Sequence, residues 1–299
     1  MEGGQIMELQ WPLILFTVFA AWSAGLFGTQ SLANLKGEGA KAQVVSVITS
    51  VVLLVIGGIA VFMHLQHWER IFNGFGRITS GITQELIAIV LVVIVMVIFF
   101  IQARNDEGKV ASWVAIVGII VSLALVFVMA HSYMMASRPA WDSLAWILAV
   151  YGSSFILGPC TFLTIVHFID KENDLKTLGM IAMIGTIVGA VFTMIYLFSL
   201  QFVADQFASV GYYFDVTHPT NSLVDLDAIA GVLTGDKAAL AWIGVIVIGC
   251  ALPIASTVMG KMKGNWKIWG PVAVACGLIG AICVRVLFFQ MGYLFFMFF

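Results

Sequence analysis

Eight apolar runs divide this chain, and each is close to or longer than the roughly 20 residues a helix needs to cross a bilayer. They cover residues 11–32, 44–64, 85–103, 110–137, 144–169, 178–204, 240–260 and 268–299. The chain is 61% hydrophobic and only 10% charged, where soluble domains carry about 25% charged residues. Its mean hydropathy is +1.05. A soluble globule is excluded. The short alternating segments of a membrane barrel are absent too, which leaves helices as the spanning structure. The sequence therefore predicts an all-α membrane protein. Its eight transmembrane helices form one bundle over residues 1–299, with no internal repeat and no low-complexity linker.

Basic residues set the expected orientation. The odd-numbered connections hold Lys36, Lys41, Arg104, Lys109, Lys171, Lys176, Lys261, Lys263 and Lys267, nine in all; the even ones hold Arg70, Arg77, Arg138 and Lys237. By the positive-inside rule the odd connections face the cytoplasm and both termini lie on the outer, periplasmic side. Residues 1–10 carry Glu2 and Glu8, no basic residue, and precede a run too long for a signal-peptide core, so the first segment is expected to stay. The longest connection, 205–237, sits on the outer side. It carries five aspartates against one lysine, the cluster Tyr212-Tyr213-Phe214, and an expected short helix over 225–233. It is the expected docking loop for a partner.

Several classes fall away. Cys160, Cys250, Cys276 and Cys283 lie inside apolar runs without a CxxC pair. They read as small core residues, pointing to neither an iron–sulfur cluster nor a disulfide framework. No metal site is expected, and a net charge of −2 gives no reason to expect a nucleic-acid partner.

The polar residues in or beside the spans carry what chemistry there is. Glu85 opens the third run 21 residues after His64 closes the second, with Arg70 and Arg77 between them. Titratable groups where lipid meets water are costly to keep, which suggests a site that handles protons. His64 and His67 share a helix face if the second span extends that far. His131 lies toward the outer end of the fourth span and His167 at the cytoplasmic end of the fifth. His67, His167 and His218 read as interfacial histidines. For His64 and His131 two readings stay open. A haem b would need two histidines at matching depth, whereas a quinol site would use a histidine and a carboxylate at the outer interface to hold the ring oxygens and carry two protons to water.

Arg285 is the one basic residue inside a run, so it must meet a carboxylate, backbone carbonyls or a water-filled cavity. Whether it is structural or touches a ligand stays open. Gly158-Pro159 interrupts helix hydrogen bonding, as a kink or as room for a ligand. Trp11, Trp68, Trp141 and Trp266 fall near predicted interfaces, where an aromatic belt would account for them.

Taken together, Trp11-Pro12-Leu13 with Phe16-Thr17-Val18-Phe19, His64-Leu65 through Arg70, Phe72-Asn73, Arg77 and Glu85, the string Tyr133 to Pro139-x-Trp141, and Gly280 with Arg285 carry a resemblance. In this order, on eight spans, they resemble the membrane anchor subunits of the dimethyl sulfoxide reductase family. The resemblance implies a haem-free subunit of the bacterial inner membrane that oxidises menaquinol from the quinone pool. Its electrons would pass to a ferredoxin-like iron–sulfur subunit and on to a molybdopterin catalytic subunit. It places the quinol site on His64 and Glu85, with Arg70 and Arg77 as supporting charge and Tyr133 and Arg285 in the binding set. Two other classes remain: a haem-b cytochrome subunit and a secondary transporter. Against the transporter, no paired broken helices in corresponding halves mark an inverted repeat.

Overall fold

A computed structural model describes residues 9–64, 77–171, 174–203 and 231–293, and among them there are helices and no strands. Eight helices are long and apolar enough to cross a membrane. They are α1 (Trp11–Leu35), α2 (Gln43–His64), α3 (Gly81–Asn105), α4 (Ser112–Ser132), α5 (Leu144–Ile169), α6 (Lys176–Leu200), α7 (Leu240–Lys263) and α8 (Trp266–Gln290). α7 opens as a π-helical segment, Leu240–Ala251, and continues as α-helix over Leu252–Lys263.

α1 and α5 form the centre. α1 packs on α2, α4 and α5, and α5 on α6 and α8; α3 lies outside this frame, against α4 and α2. Accordingly α5 is 78% buried in the bundle and α3 only 33%. The outward side chains are themselves apolar, among them Ile82, Val90, Leu91, Ile94 and Val97 of α3. In water such a face would be ruinous. In lipid it has nothing to gain from burial, so helices associate through close packing of small residues. Gly25 of α1 and Gly158 of α5 show this, since a Cβ on Gly158 would lie 2.2 Å from the Gly25 carbonyl carbon.

The fold resolves several open points. α5 runs unbroken through Pro159, and Gly158 serves the α1–α5 contact. A groove of about 430 Å³ does lie beside Pro159, between α1, α4, α5 and α6. Helix ends depart from the apolar runs by about a turn: α3 begins at Gly81, so Glu85 sits one turn inside it, and α4 ends at Ser132. The aromatic belt needs correction. Trp11 is exposed, but Trp141 and Trp266 are buried. Trp141 stacks on Phe288 and donates its Nε1–H to the Phe288 carbonyl at 2.7 Å, while Trp266 fills space left by Gly179 and Gly260. Trp68, His67 and His218 lie outside the described residues, as does the 205–237 loop up to residue 230. Where that loop resumes, Val232–Thr234 form a turn rather than the end of a helix.

Candidate functional site

Glu85 belongs to the inward stripe of α3, Thr83, Glu85, Ala88, Val92, Val95, Met96, Phe99 and Ala103, whose spacing follows the helical period. α3 is otherwise mostly exposed, so this stripe is what it turns toward α4. Glu85 is 9% exposed and forms no ion pair with a described residue. Its partner is the hydroxyl of Ser132, the last residue of α4, which donates to Glu85 Oε1. The approach depends on Gly81, one turn before Glu85 on the same face. A Cβ there would meet Ser132 Cβ at 2.8 Å.

The Ser132 oxygen is also 2.9 Å from the Met129 carbonyl, and this second contact matters chemically. A hydroxyl has one proton to give and two lone pairs to accept with. Toward a carboxylate, Ser132 donates; toward a protonated carboxyl, it can turn its proton to Met129 and accept instead. The pair is thus satisfied in both protonation states, which suits a carboxylate that takes up and releases a proton.

A second polar group lies deeper. Arg285 of α8 is fully buried. Among the described residues neither a carboxylate nor a backbone carbonyl compensates it, which leaves a water-filled cavity as the remaining one of the three expected surroundings. Its Nη2 donates to Ser153 Oγ at 3.0 Å, its guanidinium lies 5.0 Å from the centre of the Trp146 ring, and Nε and Nη1 have no partner among the described residues. The hydroxyl of Tyr196, whose ring is 5.6 Å from Trp146, is unpartnered there as well. Buried polar groups of this kind are rare enough to call for an explanation in function or solvent.

Aromatic rings connect the two groups. Phe288, one turn beyond Arg285, stacks between Trp141 (4.5 Å) and Trp146 (3.8 Å). The Arg138 guanidinium lies over the Trp141 ring, 4.7 Å from its centre, and donates to the Gly292 carbonyl. Tyr133, which follows Ser132, meets the edge of Phe288 at 6.2 Å. Burial pushes the Tyr133 hydroxyl above its usual range; the Glu85 carboxylate pushes the same way, and Arg285 opposes it. Tyr133 therefore stays a neutral phenol, within electrostatic reach of both charged groups.

Of the expected site residues, Tyr133 lies between the other two: it follows Ser132, the partner of Glu85, and its ring meets Phe288, one turn beyond Arg285. His64 is exposed at the end of α2, and Arg77 is exposed in the turn before α3; neither bonds to Glu85. Arg70 lies outside the described residues. His131 is exposed and stacks on Phe127. Among the described residues no group of three His, Cys, Asp or Glu side chains converges to hold a metal ion.

Sequence reading missed Ser132, Ser153, Trp146 and Tyr196. Ser132 had a faint signal, a hydroxyl residue beside Tyr133 at the end of an apolar run. The other three had none, because they meet Arg285 only through packing of α5, α6 and α8.

Residues 5–248 match the family model described as the DMSO reductase anchor subunit (DmsC). The protein is also similar to the C subunit of the anaerobic dimethyl sulfoxide reductase of Escherichia coli (strain K12), with 30% identity over 159 residues, 50% of this sequence and 55% of that protein. The match thus spans about half the length of the curated relative. A family match over most of the sequence, on eight membrane-spanning helices, leads to one conclusion: the protein is a multi-pass membrane protein that belongs to the DMSO reductase anchor subunit (DmsC) family.

Proposed function

We propose that this protein is the quinol-oxidising membrane subunit of a molybdopterin oxidoreductase complex in a bacterial inner membrane. Menaquinol gives up two electrons and two protons, becoming menaquinone. Glu85 accepts one proton as the first ring oxygen loses it, and His64 holds the second oxygen and takes or relays the other. Arg70 and Arg77 supply positive charge around the connection between α2 and α3. Tyr133 donates a hydrogen bond toward the headgroup, and Arg285 provides a fixed positive charge behind it. The electrons pass to an iron–sulfur cluster of a ferredoxin-like partner and from there to the molybdopterin subunit.

The observation that carries this reading is the Glu85–Ser132 pair, a buried carboxyl whose hydrogen bond survives a change of protonation. A general base must keep its geometry while its charge changes, and 10²–10⁴-fold in rate typically depends on it. The family match supports the role of anchor. With both termini outside, the site and the acidic 205–237 loop lie on the same face, and that loop docks the iron–sulfur subunit. Protons then leave to the outer water. If the partner consumes protons there, turnover is electroneutral.

Rapid mixing of a reduced naphthoquinol with membranes holding the whole complex tests this reading. The expected result is reduction of the partner's iron–sulfur clusters, read by electron paramagnetic resonance, and none in membranes lacking this subunit. Equal cluster reduction without it would refute the proposal.

A further inference from the structure

The α3 face beside Glu85 holds a feature that the proton chemistry does not use. A groove of about 270 Å³ runs between α3 and α4. Its α3 wall spans Gln84 to Leu91 and its α4 wall Val121 to Val128. Seven residues of rise is about 10 Å along each helix. α4 returns antiparallel to α3, and Val128 lies one turn before Ser132. The groove therefore begins at the level of the Glu85–Ser132 pair and descends toward the middle of the bundle. Gln84 is its one polar lining residue, and it sits at the Glu85 end.

We infer that this groove seats the isoprenoid tail of a long-tailed quinol whose headgroup lies at Glu85, an inference that rests on the function proposed above. Three observations converge. The lining below Gln84 is wholly apolar and carries no charge, so its occupant is hydrocarbon. Two of the lining residues are small, Ala88 on α3 and Ala124 on α4, beside Leu91, Val121 and Val128. Small residues on facing helices ordinarily let the backbones close together; here a channel is left between them. Finally, Leu91 and Ala124 are exposed on the outward surface of the bundle, so a tail enters sideways from lipid without crossing water. The groove's upper end is lined by Gln84, next to Glu85, and by Val128, one turn before Ser132, so a polar head at the pair and a tail in the groove fit one molecule. A phospholipid acyl tail is the competing occupant.

Ala124 is the residue to change, because it lies on the exposed face and outside the Glu85 pair. In membranes holding the assembled complex, Ala124→Phe should raise KM for a long-tailed menaquinol about tenfold, roughly 1.4 kcal/mol of lost tail binding, relative to KM for a tail-less naphthoquinol. Ala124→Leu should give a smaller shift in the same direction, which guards against a variant that assembles poorly. An unchanged KM ratio in both variants would overturn the inference and leave the groove to lipid. Glu85→Gln separates the two readings. If it stops oxidation of both quinols while the KM ratio of the Ala124 variants stays flat, the groove alone is wrong. If both quinols are still oxidised, the headgroup site is wrong.

Discussion

At the scale of single residues, the protein keeps two buried polar groups at a cost. Glu85 was legible because a carboxylate at the start of an apolar run stands out in any sequence this poor in charge. Its partner Ser132 was not, because a serine in a membrane helix usually bonds its own backbone, and only folding brings α4's last residue against Gly81 and Glu85. Arg285 was legible as an anomaly, but its surroundings were not, since Ser153 lies 132 residues away. Arg285 is fully buried, and taking a guanidinium out of water costs solvation. Even a buried ion pair can often be replaced by apolar bulk with a neutral effect or a gain of about 1–4 kcal/mol, and Arg285 pairs with no carboxylate among the described residues. Arg285→Met should therefore leave the melting temperature of the purified subunit unchanged or higher while lowering quinol turnover. Loss of folded protein would assign Arg285 to structure alone.

At the scale of elements, hydropathy located all eight helices but misjudged several ends by about a turn, because an apolar run and a hydrogen-bonded helix need not end together: α3 already begins at Gly81, four residues before its run opens. Tyr133 and Met134 extend the fourth run although α4 ends at Ser132. Nor does hydropathy register whether an apolar side chain meets lipid or protein, which is why Trp141 and Trp266 read as belt residues although they are buried. The start of α3 is where element packing reaches the site. Gly81→Val would place a branched side chain where one Cβ already falls 2.8 Å from Ser132 Cβ. It should push α3 from α4, cost about 1–3 kcal/mol of stability, and reduce quinol turnover per complex. Gly58→Ala, with nothing within 4 Å, should leave turnover and assembly as they were. Equal behaviour of the two variants would mean that the α3–α4 approach does not hold the site.

At the scale of the whole molecule, proton release and partner docking both depend on orientation. By the positive-inside rule, the excess of basic residues in odd connections predicts that both termini lie outside. A phosphatase fused after Phe299 should be active, and one fused within 261–267 inactive; the reverse pattern would move the site and the docked subunits to the opposite face. Deleting residues 216–223 from the acidic connection should release the soluble subunits from membranes, and unchanged retention would remove that loop from the interface.

The proposed quinol chemistry turns on Glu85 accepting a proton. The most direct measurement is turnover per assembled complex in Glu85→Gln, with a quinol donor beside an artificial dye that bypasses this subunit. Glutamine keeps the volume and the bond to Ser132 but has no basic oxygen to protonate at working pH. Quinol turnover should fall about 10²–10⁴-fold with dye turnover and the amount of complex unchanged. Quinol turnover at the unmutated level would contradict the account.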